Sequence, residues 1–423
     1  MKINRRQFII ASAVVGGGVL IGYSASQPSR HRRANDEIAQ GAERFVTSFI
    51  KIEPNNVITI YVPHSEMGQG IHTSLAMMAA DELDANWEYV KIEQAPAIDL
   101  FANGHLIKGF AGEFGVPDAL MPLVNATAFP IAEMINLQIT GGSSSIRYTG
   151  ESAMRVAGAA AREMLMEASA DRWKVSRVEL TTELGYVHHN ATGRSVSFGE
   201  IAKEAALLEP PENPSVKNRS QFNIMGKALS RSDIPSKVNG TAMFGIDAHS
   251  KDMLFAAIKL APVFGTTLVS ADISKALAQP GVERVIELEE SIAVVADNYW
   301  RAKNALALVD ATFSTSENDS VSSDSIESRF NSALAQSDGS KDKEIGNTES
   351  AISTATDIIE ASYRVPYLAH AAMEPMNCTV HVKGKTVEVW TSTQDALGTV
   401  GRIANIAGVP ENSVIFHHTY CGG

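Results

Sequence analysis

Apolar and polar positions change their spacing several times along the chain, and each change predicts an element. In VTSFIKIEPNNVITIYVP two short runs rich in β-branched residues, 47–52 and 57–62, flank Pro54-Asn55-Asn56, which predicts a hairpin. HSEMGQG follows, and then Leu75, Met78, Ala79 and Leu83 fall at i, i+3, i+4 and i+8, the spacing of one helix face. The order is strand, glycine turn, helix. Residues 100–150 are Gly-rich without a clear period and end in TGGSSSIRYTG; an Ala-rich helix is predicted over 151–173, and VELTTELGYVHHNATGRSVSF reads as further short strands.

The Pro- and Asn-rich LEPPENPSVKNRS places a boundary near residues 209–220, so a first domain is expected over about 40–220. Residues 236–312 read as a compact unit with strands in GTAMFGIDA, MLFAAIKLA, VERVIEL and SIAVVAD and helices over 270–278 and 299–309. The Ser- and Asp-rich stretch 314–356, with a helical segment inside it, is expected to be a solvated linker. Beyond it, 357–423 opens a last domain. There Val380 and Val382 face Val387 and Val389 around Gly384 in a predicted hairpin, and 413–420 forms a terminal strand that runs into Gly422-Gly423. Helices and mainly hairpin-linked strands in this arrangement make the expected fold class α+β.

The chain is 423 residues long and 44% apolar, enough for about two to three domains with substantial cores. Its first 33 residues hold six basic side chains and no acid, and the remainder carries a formal charge of −18. A polyanion of that size disfavours nucleic acid, because phosphate binding depends on Lys and Arg neutralising the backbone. Two cysteines, Cys378 and Cys421, are too few for a disulfide framework, a four-thiolate zinc site or an iron–sulfur cluster.

Arg5 and Arg6 stand directly before a Gly-, Ala- and Ser-rich apolar run that ends at Gly22. This run is shorter than the roughly 20 apolar residues of a spanning helix, so a leader over residues 1–33 of the twin-arginine export type is favoured over an N-terminal membrane anchor. Export by that route implies a folded protein in the periplasm, free or membrane-associated, and hints at a cofactor loaded beforehand.

Common catalytic signatures are missing. No GxGxxG follows a strand, there is no GxxxxGK[ST] and no HExxH, and adjacent His417 and His418 point to opposite faces of a strand. What remains is a set of glycine and hydroxyl bends. In EMGQGIHT, Gly68 and Gly70 let backbone approach a ligand, the helix that follows offers unpaired N–H groups and a positive dipole end, and Gln69, His72 and Thr73 add side-chain donors, a combination suited to phosphate or pyrophosphate. In TGGSSSIR, Gly142, Ser143, Ser144 and Ser145 make a second cradle ahead of a helix. An ordinary capped turn explains either bend alone; two together, with a third starting at Gly422, favour a binding site.

EMGQGIHT, TGGSSSIRYTGESAMRVAGAAAREML, SKVNGTAMFGIDAH, YLAHAAMEPMNCTVHV, VWTSTQ and the terminal CGG together resemble, in order, the molybdenum-binding subunit of the xanthine oxidase family. The branch most resembled is that of the isoquinoline 1-oxidoreductase beta subunit and related exported molybdopterin-dependent aldehyde dehydrogenases. The resemblance implies molybdopterin cytosine dinucleotide as cofactor, its molybdenum held by the pterin and not by protein side chains. Gly68, Gln69, Gly70, His72 and Thr73 would line the dinucleotide, and Gly142, Ser143, Ser144 and Ser145 would form a second cofactor loop. Gln394 in STQ matches the glutamine whose amide faces the metal's apical oxygen, and Gly422 and Gly423 match the start of a glycine loop near the metal. Glu374, beside Pro375, is expected to be structural. Residues 236–312 resemble the family's α/β hammerhead domain.

The same resemblance implies oxidation of an N-heterocycle or an aldehyde with oxygen from water, the electrons leaving to an iron–sulfur (2Fe-2S) small subunit and then to a cytochrome c. In the family the general-base glutamate lies beyond the glycine loop at which this sequence stops. The sequence is therefore expected to be the N-terminal part of a longer polypeptide and inactive alone. The rival expectations are a truncated cofactor-binding chain without turnover and a periplasmic small-molecule binding protein.

Overall fold

The computed structural model describes residues 29–423 apart from 337–338, 341–342 and 344; the paired arginines and apolar run of the expected leader lie outside the described residues. Helices and sheets alternate without one dominating, an α+β architecture. The chain divides into two compact units, one formed by Met1–Ala248 with Ala372–Gly423 and one by His249–Ala371.

The first unit opens with α1 (Arg30–Glu37), which falls partly within the span expected for the leader. His31 and Ala34 are buried, Arg33 pairs with Asp99 at 2.7 Å, and the Asn35 carboxamide bonds both the N–H and the C=O of Phe45. Next come β1 (Arg44–Thr47), β2 (Ile50–Ile52), β3 (Ile58–Val62), α2 (Ile71–Leu83) and β4 (Val90–Gln94). The expected strand over 47–52 is thus two strands bent at residues 48–49. Every position of β2 and β3 is buried, so no alternation marks where one strand stops and the next begins. The sheet order is β1-β2-β3-β4, with β3 and β4 parallel across the α2 crossover.

Residues 100–150 are more regular than expected. They hold α3 (Gly104–Glu113), α4 (Met121–Met134) and the start of a π-helix, Ser145–Met154, that runs into α5 (Arg155–Trp173). The glycines that suggest irregularity are packing sites: a Cβ on Gly104 would lie 2.6 Å from the Phe129 ring, and one on Gly109 would lie 2.2 Å from Tyr148. A three-stranded meander follows, β5 (Leu180–Glu183), β6 (Tyr186–His189) and β7 (Arg194–Ser197), and then α6 (Phe198–Ala205), opened by a Ser197–Glu200 capping box.

The Pro- and Asn-rich stretch does not end this unit, because two buried acids on α2 clamp its end and the segment after it. Asp81 accepts the backbone N–H groups of Asn223, Ile224 and Met225 at 2.8–3.1 Å and Lys217 Nζ at 3.2 Å. Burial alone would raise the Asp81 carboxyl, but those three N–H donors and Lys217 hold it below the usual range. Glu82 binds Arg155 at 2.7 Å and the N–H of Lys217 at 2.8 Å. The chain then passes through α7 (Ile234–Val238), and GTAMFGIDA, expected as a strand, makes a single bridge from Phe244 to Tyr420 and one 3₁₀ turn, Gly245–Asp247.

The second unit therefore starts at His249, not near residue 236, and continues past 312 to Ala371. It contains β8 (Phe255–Leu260), β9 (Leu268–Asp272), α8 (Ser274–Leu277), β10 (Val282–Leu288), β11 (Ser291–Ala296), α9 (Tyr299–Leu306) and β12 (Asp310–Phe313). Sheets β10-β11-β8 and β12-β9 enclose a core of Ala276, Ile292, Val294, Ala305 and Val309. The helix expected over 270–278 is the end of β9 plus one short turn of helix. The stretch expected as a linker holds α10 (Ser323–Leu334) and α11 (Thr348–Thr354), neither with a buried residue.

The first unit resumes with β13 (Thr379–Lys383), β14 (Thr386–Thr391), α12 (Ala396–Ala407) and β15 (Val414–His418). Val380 pairs with Val389 and Val382 with Val387, around Gly384 at φ +62°. β14 and β15 are parallel across α12. This motif, a hairpin whose second strand feeds a helix and a parallel return, repeats the one made by β2, β3, α2 and β4. In both, the bend after the second strand lies at that strand's carboxyl end, where open α/β sheets bind ligands.

α2 and α5 pack closely at Gly158, where a Cβ would lie 2.3 Å from the carbonyl oxygen of Ala79. Alanine in a helix is worth about 1 kcal/mol over glycine, whereas overpacking costs about 1–3 kcal/mol, and a backbone oxygen does not yield as a side chain does. Gly158→Ala is thus expected to destabilise the first unit despite its helix propensity. Urea unfolding checks this, and a raised midpoint contradicts it.

Candidate functional site

The bend after β3, residues 63–70, is held from within. The Glu66 side chain is fully buried, and its carboxylate accepts the N–H groups of Gly68 (2.9 Å), Gly70 (3.0 Å) and His72 (3.2 Å). Arg231 reaches Glu66 at 3.3 Å, the carbonyl of Gly68 at 2.7 Å and Asp233 at 2.5 Å. Gly68 and Gly70 have φ of +101° and +79°, which favours glycine at both, and no atom lies near enough to Gly68 to crowd a side chain.

The same bend meets three other segments through Ser65 and Glu66. The N–H of Ser65 donates to Thr140 Oγ1 at 2.8 Å, and its hydroxyl donates to the carbonyl of Thr393 at 2.5 Å. The N–H of Thr140 donates to the carbonyl of Gln394 at 2.7 Å, and that of Cys421 donates to the carbonyl of Glu66 at 3.2 Å. His418 Nε2 lies 3.0 Å from the Thr393 carbonyl and 3.2 Å from Ser65 Oγ. Behind this floor, His64 Nε2 lies 2.8 Å from Thr149 Oγ1 and 3.2 Å from Asn103 Nδ2. The bends at 64–70, 140–144 and 392–394 and the terminal segment are therefore neighbours within one unit.

The individual residues differ in what they offer. Gly68, Gln69, Gly142, Ser143, Gln394 and Gly423 are exposed at the rim. Gln69 is committed to its own loop, accepting the N–H of Met67 at 2.7 Å and donating to the carbonyl of Ser65 at 2.9 Å. His72 is buried, with Nε2 at 2.9 Å from the His64 carbonyl and 3.0 Å from Gln94, and Thr73 is buried against Ser232 at 3.1 Å. The side chains of His72 and Thr73 hold the bend, and neither faces the rim. Ser144 bonds back to the Gly141 carbonyl, and Ser145 opens the π-helix. Gly422 is fitted to Glu374, whose carboxylate accepts the N–H groups of Gly422 (2.7 Å) and Ile246 (3.0 Å) and the Asn377 amide (2.9 Å). His417 and His418 do point opposite ways: His417 stacks on Trp390 with ring centres 4.7 Å apart and bonds Glu388, while His418 turns to the floor.

The electrostatics suit a rigid scaffold. Burial lowers His64 to about 3 and His418 to about 4, so both are neutral at physiological pH and do not exchange protons there. Burial also pushes the Cys421 thiol up, away from the thiolate form that reacts. Among the described residues no group of three His, Cys, Asp or Glu side chains is placed to hold a metal ion. Fit to a large pterin cofactor is carried by the shared floor and by the exposed Gly142, Ser143 and Gln394. It is not carried by the bend leading into α2, where the N–H groups of Gly68, Gly70 and His72 already bond Glu66.

Sequence reasoning passed over Glu66, Ser65, Thr140 and Arg231. Only Glu66 left a signal, an acid just ahead of a Gly-x-Gly helix start; the others act through backbone groups of segments far apart in sequence.

Models of the molybdopterin cofactor-binding domain match residues 332–423 and 5–106. The beta subunit of the isoquinoline 1-oxidoreductase of Brevundimonas diminuta is 26% identical over all of this chain and 56% of its own length. A membrane-bound aldehyde dehydrogenase of Gluconacetobacter polyoxogenes is 26% identical over all of this chain and 52% of its own. A nicotinate dehydrogenase subunit of Pseudomonas putida is 23% identical over 84% of this chain and 27% of its own. The chain spans about half the length of the first two relatives.

The buried floor sets two expected outcomes. Between its folded value and about 6.5, each buried histidine binds fewer protons folded than unfolded, so stability falls as pH drops below about 6.5. At about pH 5 the loss is about 2 kcal/mol per histidine, and His418→Gln, which cannot titrate, is expected to remove one such share in urea unfolding at the two pH values. Thr140→Val leaves the N–H of Ser65 without its acceptor and is expected to cost about 1–3 kcal/mol by the same measurement.

Proposed function

We propose that this chain is a molybdopterin-binding subunit of the xanthine oxidase family, which its two molybdopterin-domain matches and its similarity to the two full-coverage relatives support, and that its first unit holds one side of a molybdopterin cofactor in the cytosine dinucleotide form. The observation that supports this reading is the meeting of four segments at Ser65 and Glu66, which brings the exposed Gly142–Ser143 bend, Gln394 and the terminal glycines to one floor.

When bound, the cofactor supplies the two-electron redox chemistry that protein side chains lack. In this reading the exposed carboxamide of Gln394 donates toward its metal end, and the backbone at Gly142 and Ser143 meets its polar body. Gly422 and Gly423 extend the lining. Ser65, Thr140, Thr393 and His418 hold those groups in place, and neutral His418 adds no charge beneath an anionic ligand. The reaction served is the oxidation of an N-heterocycle or an aldehyde, with the new oxygen taken from water. Two electrons pass to an iron–sulfur partner subunit and from there to a cytochrome c. Arg5 and Arg6 would direct twin-arginine export, which places the protein in the periplasm.

Metal and nucleotide analysis of the purified chain tests the reading: molybdenum and cytidine nucleotide are expected in equal amounts, and their joint absence after expression with cofactor supply overturns it. Gln394→Ala is expected to leave the unfolding free energy within about 0.5 kcal/mol of the parent in urea, as for an exposed side chain, while lowering molybdenum retention. Lysines in place of Arg5 and Arg6 are expected to keep the protein in the cytoplasm, read by cell fractionation.

A further inference from the structure

The sequence pattern Gly-x-Gly at the start of a helix suggests phosphate; the structure puts another anion there. Three N–H groups of the bend and the helix start, those of Gly68, Gly70 and His72, end on the Glu66 carboxylate. That side chain has no exposure, and Arg231 sits on it while also holding the Gly68 carbonyl. Asp233 binds Arg231 in turn and pairs with Lys237 at 2.6 Å, and Lys237 lies over the Tyr420 ring at 4.8 Å. The carbonyl of Glu66 accepts the N–H of Cys421. A second anion entering this turn would face a buried carboxylate whose charge is already matched.

We propose that Glu66 is a resident anion that closes the N-terminus of α2 to phosphate, and that with Arg231 it is the positioning residue that latches the 64–70 bend to the terminal segment. The bend is then a wall of the site, and the cofactor's phosphates are met elsewhere. This rests on the cofactor reading above only for its consequence; the latch itself is a property of the chain.

Hydrogen exchange across residues 66–74 of the full chain tests it. In the parent protein these amides are expected to be protected, and adding millimolar pyrophosphate is expected to leave their exchange unchanged. Glu66→Ala is expected to speed exchange at Gly68, Gly70 and His72 by at least about tenfold, the equivalent of one charge-assisted hydrogen bond, and to make it slow again when pyrophosphate is added. Arg231→Gln, which keeps Glu66, is expected to give a smaller increase and no response to pyrophosphate. Protection of the parent's 66–74 amides by pyrophosphate overturns the proposal, as does unchanged exchange in Glu66→Ala. Should that variant not fold, the parent titration and Arg231→Gln still decide. Molybdenum and cytidine content, measured separately on the parent, reports on the cofactor reading: protected but cofactor-free protein defeats that reading and leaves the latch standing.

Discussion

Two adjacent residues carry the arrangement. Ser65 spends its N–H on Thr140 and its hydroxyl on Thr393, and Glu66 spends its carboxylate on its own bend and its carbonyl on Cys421. The neutral bonds among these are worth only about 1 kcal/mol net each and those to the carboxylate about 1.5–3 kcal/mol, but leaving any of the buried partners unmatched costs the full desolvation of that group. The constraint is therefore collective: the bends stay together because no one of them can leave without stranding polar groups of the others.

This explains why the floor is polar and still inert. His64 and His418 are buried far enough to remain neutral, and the hydroxyls of Ser65 and Thr149 bond to backbone or to these histidines. The floor's side chains hold the bends in place and offer no group poised to react. The Trp390–His417 stack with Glu388 lies on the opposite face of the same strand pair, so alternation along β15 separates a solvent-facing histidine from a structural one.

Much of this was legible in the sequence. β3 and the helix after it show in their apolar spacing, the hairpin of β13 and β14 in paired valines around Gly384, and the bends in their glycines. The rest was hidden for physical reasons. Gly104 and Gly109 act as contact surfaces within a helix, and composition alone cannot tell that use from a helix break. Asp81 and Glu82 look like the solvated end of an amphipathic helix, yet they are buried and bind backbone from within and beyond the proline-rich stretch, which moves the end of the first unit. At Glu66 the pattern of a phosphate-binding turn was present, but its acceptor was part of the chain.

The contact from Ser65 to Thr393 joins residues 328 positions apart. On a ribosome, the first bend emerges long before these partners do, so its hydroxyl, and the carbonyl of Glu66, wait while the intervening segments are made. Contacts this distant in sequence form late because chain entropy must be overcome before they repay it. A nascent chain stalled before α12 accordingly presents an early sheet and helix without the bends that would join them.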